Sequence, residues 1–252
     1  MARTIHPLKM ALAEDPMGAE RKVAVITGAS QGIGAALARA YRERNYKVVA
    51  TARSMETSND DDVLALGGDI ADRTTAERVI AAGMDRFGRI DTLVNNAGIF
   101  ISKPFTQYTV ADLVALIGVN LAGFFHITQL AVAEMEKQGS GHIVQITTSM
   151  VDHAMSAVPA VLASMTKGGL AAATKSLAIE YAKRGIRVNA VAPGVIKSPM
   201  NSDGPRDQFA ALHPVGRMGE IADIVDAIMY LESASFVTGE ILHVDGGQSA
   251  GH

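Results

Sequence analysis

The residues best equipped for proton transfer gather in two stretches of the second half of the chain. The stretch "TTSMVDH", 147–153, carries the hydroxyls of Thr148 and Ser149, followed by Asp152 and His153. A hydroxyl here can hydrogen-bond a substrate carbonyl, and an imidazole titrates near neutrality and can donate a proton while Asp152 orients it. The same residues also fit a plainer reading: a β-branched strand end and a solvated Asp–His pair whose neighbouring side chains point apart. The second stretch, "AVLASMTKGGLAAATKSL", 160–177, opens an Ala-rich helix and contains Lys167. One turn before that lysine stands Ala163, and Pro159, Ala160, Val161 and Leu162 cannot transfer a proton either. No tyrosine occurs between Tyr108 and Tyr181. Lys167 therefore lacks an acid partner on its own helix face.

The elements that must position these residues follow from the apolar pattern. Of 252 residues, 48% are hydrophobic and 19% charged, with 24 glycines, a composition expected of a globular α/β protein. Short strand candidates, "KVAVITG", "KVVATAR", "ALGGDI", "IDTLVNNAG", "HIVQITTS", "IRVNAVAPG" and "EILHVDGG", alternate with longer helical patterns. Several strands are apolar throughout, as strands buried on both faces of a parallel sheet must be. The expected fold is α/β: a Rossmann-type doubly wound, seven-stranded, mostly parallel sheet with helices on both faces and right-handed crossovers. Residues 21–252 read as one domain, with a small substrate lid around 197–220, and residues 1–20 as a flexible N-terminal arm. That arm, broken by Lys9, Glu14, Asp15 and Pro16, is too interrupted for a signal peptide or membrane span. With no cysteine there are no disulfides, no thiol catalysis and no Cys-ligated metal. We expect no metal, no membrane and, at a net charge of −3 without a basic stripe, no nucleic acid. A cytoplasmic location is expected.

A cofactor site is legible near the start. In "AVITGASQGIGAALARAY", Gly28, Gly32 and Gly34 lie directly after the first strand and at the opening of a helix. This spacing lets the backbone turn tightly and approach a pyrophosphate on the helix N-terminus. The second strand ends in Ala52-Arg53-Ser54, without the acid that would bind an adenosine ribose. Arg53 can instead pair with a 2′-phosphate and Ser54 can add a hydrogen bond, which favours NADP(H) over NAD(H). The plainer reading of Arg53 is a solvated surface charge.

Taken together with "NNAG" at 95–98, "GVNLAGFF" around Asn120, "RVNAVAPGVIKSPM" and "VDGG" near the end, these motifs resemble the short-chain dehydrogenase/reductase family from about residue 21 onward. The resemblance implies cofactor contacts from Gly28, Ser30, Gln31, Gly32, Ile33 and Gly34, with Asp69 and Ile70 flanking adenine. Asn96, Ala97 and Gly98 would line the cofactor beside the sheet. Pro193, Gly194 and Val195 would border the nicotinamide, Ser198 would meet the pyrophosphate or carboxamide, and Lys167 would hold the nicotinamide ribose. It further implies a catalytic set of Asn120, a hydroxyl and Lys167, and a homotetramer joined through long helices at about 110–137 and 163–184. The hydroxyl falls on Thr148 when counted along the strand and on Ser149 or Met150 when counted back from the helix.

The family's active-site tyrosine aligns with Ala163, so the chain is an atypical member in this reading. Its expected function is hydride transfer between nicotinamide and a carbonyl or alcohol, with a non-standard proton donor. His153 with Asp152 is one candidate donor; Asn120 and Lys167 with an ordered water are another. Imines, conjugated C=C bonds, or nucleotide binding without catalysis are the alternatives. Phe100, Ile101, Met150, Met155, Met200, Phe209, Leu212 and Met218 suggest an apolar small-molecule pocket, although such residues also serve ordinary packing.

Overall fold

Runs that are apolar at nearly every position can bury both faces of a strand, and they build the centre of one sheet. A computed structural model of the protein describes residues 20–202 and 204–251; the expected N-terminal arm lies almost wholly outside them. The strands are β1 (Val23–Thr27), β2 (Lys47–Ala52), β3 (Val63–Gly67), β4 (Thr92–Asn95), β5 (Gly141–Ile146), β6 (Ile186–Pro193) and β7 (Ile241–Val244). They lie in the order β3-β2-β1-β4-β5-β6-β7, and every pair is parallel. The expected "mostly parallel" sheet is thus parallel throughout. Its edge strand β3 starts two residues before the predicted "ALGGDI" and releases Gly68, Asp69 and Ile70 into the following turn.

Alternate side chains of the sheet enter two cores. Ala24, Ile26, Val48 and Val191 meet α1 (Gly32–Glu43) and α7 (Ile221–Ser233) through Leu37, Ile224 and Ile228. Val25, Leu93 and Ile143 face α2 (Arg73–Phe87), α4 (Gly123–Gln138) and α5 (Val161–Tyr181) through Val79, Ile127 and Ala178. The strand order reverses between β1 and β4, so the loops at their carboxyl ends diverge and open a crevice.

The long helix predicted at 110–137 is not uniform. It begins as α3 (Val110–Leu116), capped reciprocally by Thr109 and Asp112, widens into a π-helical stretch at Ile117–Ala122, and resumes as α4. The widened turn buries Asn120 behind the wall of the crevice.

Candidate functional site

The crevice is built from glycines at its phosphate end. Gly28 and Gly32 have φ of 66° and 58°, a region that L side chains rarely adopt. A Cβ on Gly28 would lie 2.9 Å from the Ala97 Cα, and one on Gly34 would overlap the Gly28 carbonyl. Gly34 is thus the close-packing glycine beneath the loop, not a lining residue. The helix α1 has no side-chain cap at Gln31, so its N-terminal dipole faces the crevice unspent. Thr27 and Asn96 fasten the loop to β4. The amides of Asn96 and Ala97 donate to Thr27 Oγ1 at 3.0 and 2.9 Å, and Asn96 Nδ2 donates to the Thr27 and Gly28 carbonyls.

These residues line a cavity of about 330 Å³ together with Ser30, Gln31, Ile33, Arg53, Ser54, Asp69, Ile70, Gly98 and Ser198. Arg53 and Ser54 are exposed at the end of β2, and Arg53 forms no ion pair among the described residues. Asp69 accepts a hydrogen bond from the Ala71 amide at 3.0 Å at the end of β3. Glycines that admit a phosphate backbone, an open helix N-terminus and a basic rim fit a dinucleotide.

A second cavity of about 400 Å³ adjoins the first, sharing Ile33, Asn96, Gly98, Ile99, Ser198 and Met200. Lys167, Thr148, Ser149, Pro193, Gly194 and Val195 line it. Lys167 Nζ donates to the Ile146 carbonyl at 2.6 Å. An ideal Cβ on Gly98 would lie 2.9 Å from that Nζ and 3.3 Å from Asn120 Oδ1, so Gly98 brings lysine, asparagine and backbone to one point. Asn120 itself sits behind the cavity wall: Oδ1 accepts from the Ile99 amide, while Nδ2 donates to the Ile99 carbonyl and to Thr166 Oγ1. Burial alone lowers the Lys167 ammonium from its usual value to about 8.

The two candidate hydroxyls separate. Thr148 is half-buried on the cavity wall, its Oγ1 receiving only a long bond from the Met150 amide at 3.4 Å. Ser149 is fully buried, within hydrogen-bond distance of the Pro193 carbonyl (3.2 Å) and Gln248 Oε1 (3.1 Å). Thr148 therefore has the more available hydroxyl.

Ala163 is only 1% exposed and lines neither cavity; Met150, Met155, Val158 and Ala160 pack around it. The place one turn before Lys167 is filled with hydrocarbon. His153 does not line either cavity, and Asp152 turns outward to His243 Nε2 at 2.9 Å. After the short helical turn Ser149–Val151, the expected His153–Asp152 pair stands outside both cavity linings, with Asp152 turned to His243 of edge strand β7.

The lid comprises a turn at Pro199–Asn201 and α6 (Arg206–Ala211). Met200, Phe209 and Phe100 line the cavity as expected; Leu212, Met218 and Ile101 do not, and Met218 is packed inward. His213 braces this lid. Its Nδ1 donates to the Phe209 carbonyl at 2.8 Å and its Nε2 accepts from the Val195 amide at 3.0 Å, which fixes the neutral tautomer. Sequence reasoning missed Gln248, which reaches the cavity from the segment after "VDGG". Only its place after a glycine pair, where the chain must turn back to the sheet, hinted at it.

A family model described as enoyl-(acyl carrier protein) reductase matches residues 28–249. The chain is 36% identical over 245 residues to the 3-oxoacyl-[acyl-carrier-protein] reductase FabG of Thermotoga maritima, covering 92% of this chain and 99% of that one. It is 38% identical over 250 residues to the 2-(R)-hydroxypropyl-CoM dehydrogenase of Xanthobacter autotrophicus, covering 91% and 99%. Among solved structures it is similar to ElxO with NADP bound, with a TM-score of 0.85, 30% identity, and coverage of 92% and 100%.

Proposed function

This chain belongs to the short-chain dehydrogenase/reductase family, and we propose that it is an NADP(H)-dependent oxidoreductase acting on the carbonyl or alcohol group of an apolar small molecule. The observation that carries this reading is the junction of the two cavities: a polar, glycine-built one that suits a dinucleotide runs into an apolar one that holds Lys167 and Thr148. A bound nicotinamide dinucleotide supplies the hydride. Gly28, Gly32 and the open end of α1 hold its phosphates, and Arg53 with Ser54 receives a 2′-phosphate. Lys167 and Asn96 bracket the far end, and Pro193–Val195, pinned by His213, form the wall beneath it. Thr148 donates a hydrogen bond to the substrate oxygen and so orients it, while Phe100, Met150 and Phe209 exclude water.

Fluorescence titration with NADPH and NADH tests the cofactor, and NADPH consumption over a panel of apolar ketones, cyclic imines and enoyl thioesters tests the substrate. We expect tighter NADPH than NADH binding, with Arg53→Ala weakening NADPH about tenfold and leaving NADH unchanged; equal loss for both sinks the NADP assignment. Tight cofactor binding without turnover of any panel member favours a non-catalytic binding protein. A second reading, reduction of an imine or conjugated C=C, draws on the hydrocarbon packed around Ala163, because those substrates need no phenol.

The functional unit in this reading is a homotetramer. Val110, Val114, Ile117 and Phe125 form one exposed apolar stripe along α3 and α4, and Val161, Met165 and Ile179 another along α5. A second copy covers them, and light scattering in solution reads the mass directly.

A further inference from the structure

We propose that Lys167 is itself the acid–base group of this site, passing its ammonium proton to the substrate oxygen. This rests on the carbonyl–alcohol reading above and names the donor that reading leaves open.

The geometry narrows the choice. Among the described residues, Lys167 is the only ionisable side chain lining the second cavity. The carboxyl end of β5 contributes Thr148 and Ser149 and the end of β6 the chain around Gly194, while Asn120 of the π-helical turn stands behind the wall, bonded to Ile99 and Thr166. None of these titrates near neutral pH. Asp152 pairs with His243 at the exposed end of the loop, and among the described residues no charged side chain acts on the Lys167 ammonium, which burial alone perturbs. On the helix turn before Lys167, Ala163 carries no protic group and the Ser164 hydroxyl, which does not titrate near neutral pH, donates to the Met150 carbonyl. Among the described residues the ammonium makes one hydrogen bond, to the Ile146 carbonyl, which leaves two of its three protons for a ligand.

The step balances simply. As hydride reaches the carbonyl carbon, the C=O π pair moves onto oxygen; that oxygen takes a proton from Nζ, one N–H bond breaks and one O–H bond forms. The amine left behind is neutral, which its desolvated surroundings tolerate, and it recovers a proton from water when the alcohol leaves. A proton source that titrates near 8 keeps its proton at neutral pH yet releases it readily. In the oxidative direction the neutral amine accepts the hydroxyl proton.

Two measurements test this. The first needs no turnover: competitive acetylation with acetic anhydride over pH 6–11, read by peptide mass spectrometry, with exposed Lys175 of the same helix as reference. Lys167 should reach half its limiting reactivity at about pH 8 and be shielded by NADP; half-reactivity at the ordinary lysine value of 10.5 overturns the proposal. The second compares single turnovers of a ketone with those of an N-methylated cyclic iminium, which takes hydride and needs no proton. In Lys167→Met the ketone rate should fall at least 100-fold further than the iminium rate. Lys167→Arg should behave likewise, because guanidinium keeps the charge and does not release its proton. Equal losses on both substrates reduce Lys167 to a positioning residue. A wild type that reduces iminium but no ketone overturns the carbonyl reading itself, whatever the acetylation shows.

Discussion

The two ends of the sheet treat buried polar groups in opposite ways. At the amino end of the strands, Glu232 near the end of α7 accepts hydrogen bonds from Tyr41, Tyr46, Thr92 and His142. The other ring nitrogen of His142 accepts from Asn189 Nδ2, and Arg187 donates to four backbone carbonyls between Leu231 and Val237. Burial works to raise the Glu232 carboxyl, but the bonds from His142, Tyr41 and Thr92 outweigh it and hold the group at about 2. Burial keeps His142 below its usual value despite Glu232, so the pair is a neutral imidazole on a carboxylate. At the carboxyl end, among the described residues, Lys167 has one carbonyl partner, and Gln145, one residue before that carbonyl, has neither amide atom paired. Saturated polar networks fix a structure; unspent polar groups wait for a ligand.

Breaking the saturated end should have the largest effect. Glu232→Ala strands four donors in a dry interior and should cost about 3–5 kcal/mol in urea unfolding, with dinucleotide affinity in the surviving native state nearly unchanged. A loss below 1 kcal/mol would show that water replaces the carboxylate and that this end is not dry.

Acid titration probes the same network without mutation. Both folded values are depressed, so their contributions are complete above the unfolded values and decline as pH falls. The His142 share should fade below about 6.5 and the Glu232 share between about 4.5 and 2. Loss of this slope in Glu232→Ala confirms the assignment, and an unchanged slope removes it.

At the other end the sign reverses. The fold disfavours the Lys167 ammonium, so without cofactor stability should be lowest below about 8 and rise between about 8 and 10.5. Lys167→Met should abolish that rise and melt at the same temperature or higher at pH 7, while dinucleotide binding weakens about tenfold or more. A melting temperature several degrees lower instead would make Lys167 a structural residue. The smallest effect is expected at Gln145. Replacing it with Leu removes an unpaired amide and should stabilise by about 1 kcal/mol. A loss of that size would show that a buried water holds the amide.

Much of the fold was legible because its signals are local. Uniformly apolar runs such as Val23–Thr27, punctuated by Ala-rich helices, specify a parallel sheet whatever surrounds them. The glycine turn was equally legible: Gly28, Gly32 and Gly34 act through backbone geometry set within a few residues. The donor end was not. "TTSMVDH" lists side-chain types, but a single short helical turn decides that Thr148 faces the cavity, Ser149 the β6 carbonyl and Asp152 the solvent. His213 and Gln248 reach the site from 65 and 100 residues beyond Thr148 in the chain, a distance no spacing rule spans.

By itself the sequence determined the parallel α/β architecture, the nucleotide loop, the basic end of β2 and the absence of a phenol one turn before Lys167. Those follow from residue type and short-range spacing. Only the tertiary structure decided that Ala163 is sealed under methionines and that Lys167 is, among the described residues, the sole ionisable group of its cavity. Those are properties of what surrounds a side chain, and surroundings are assembled from strands, loops and helices that meet only when the chain has folded.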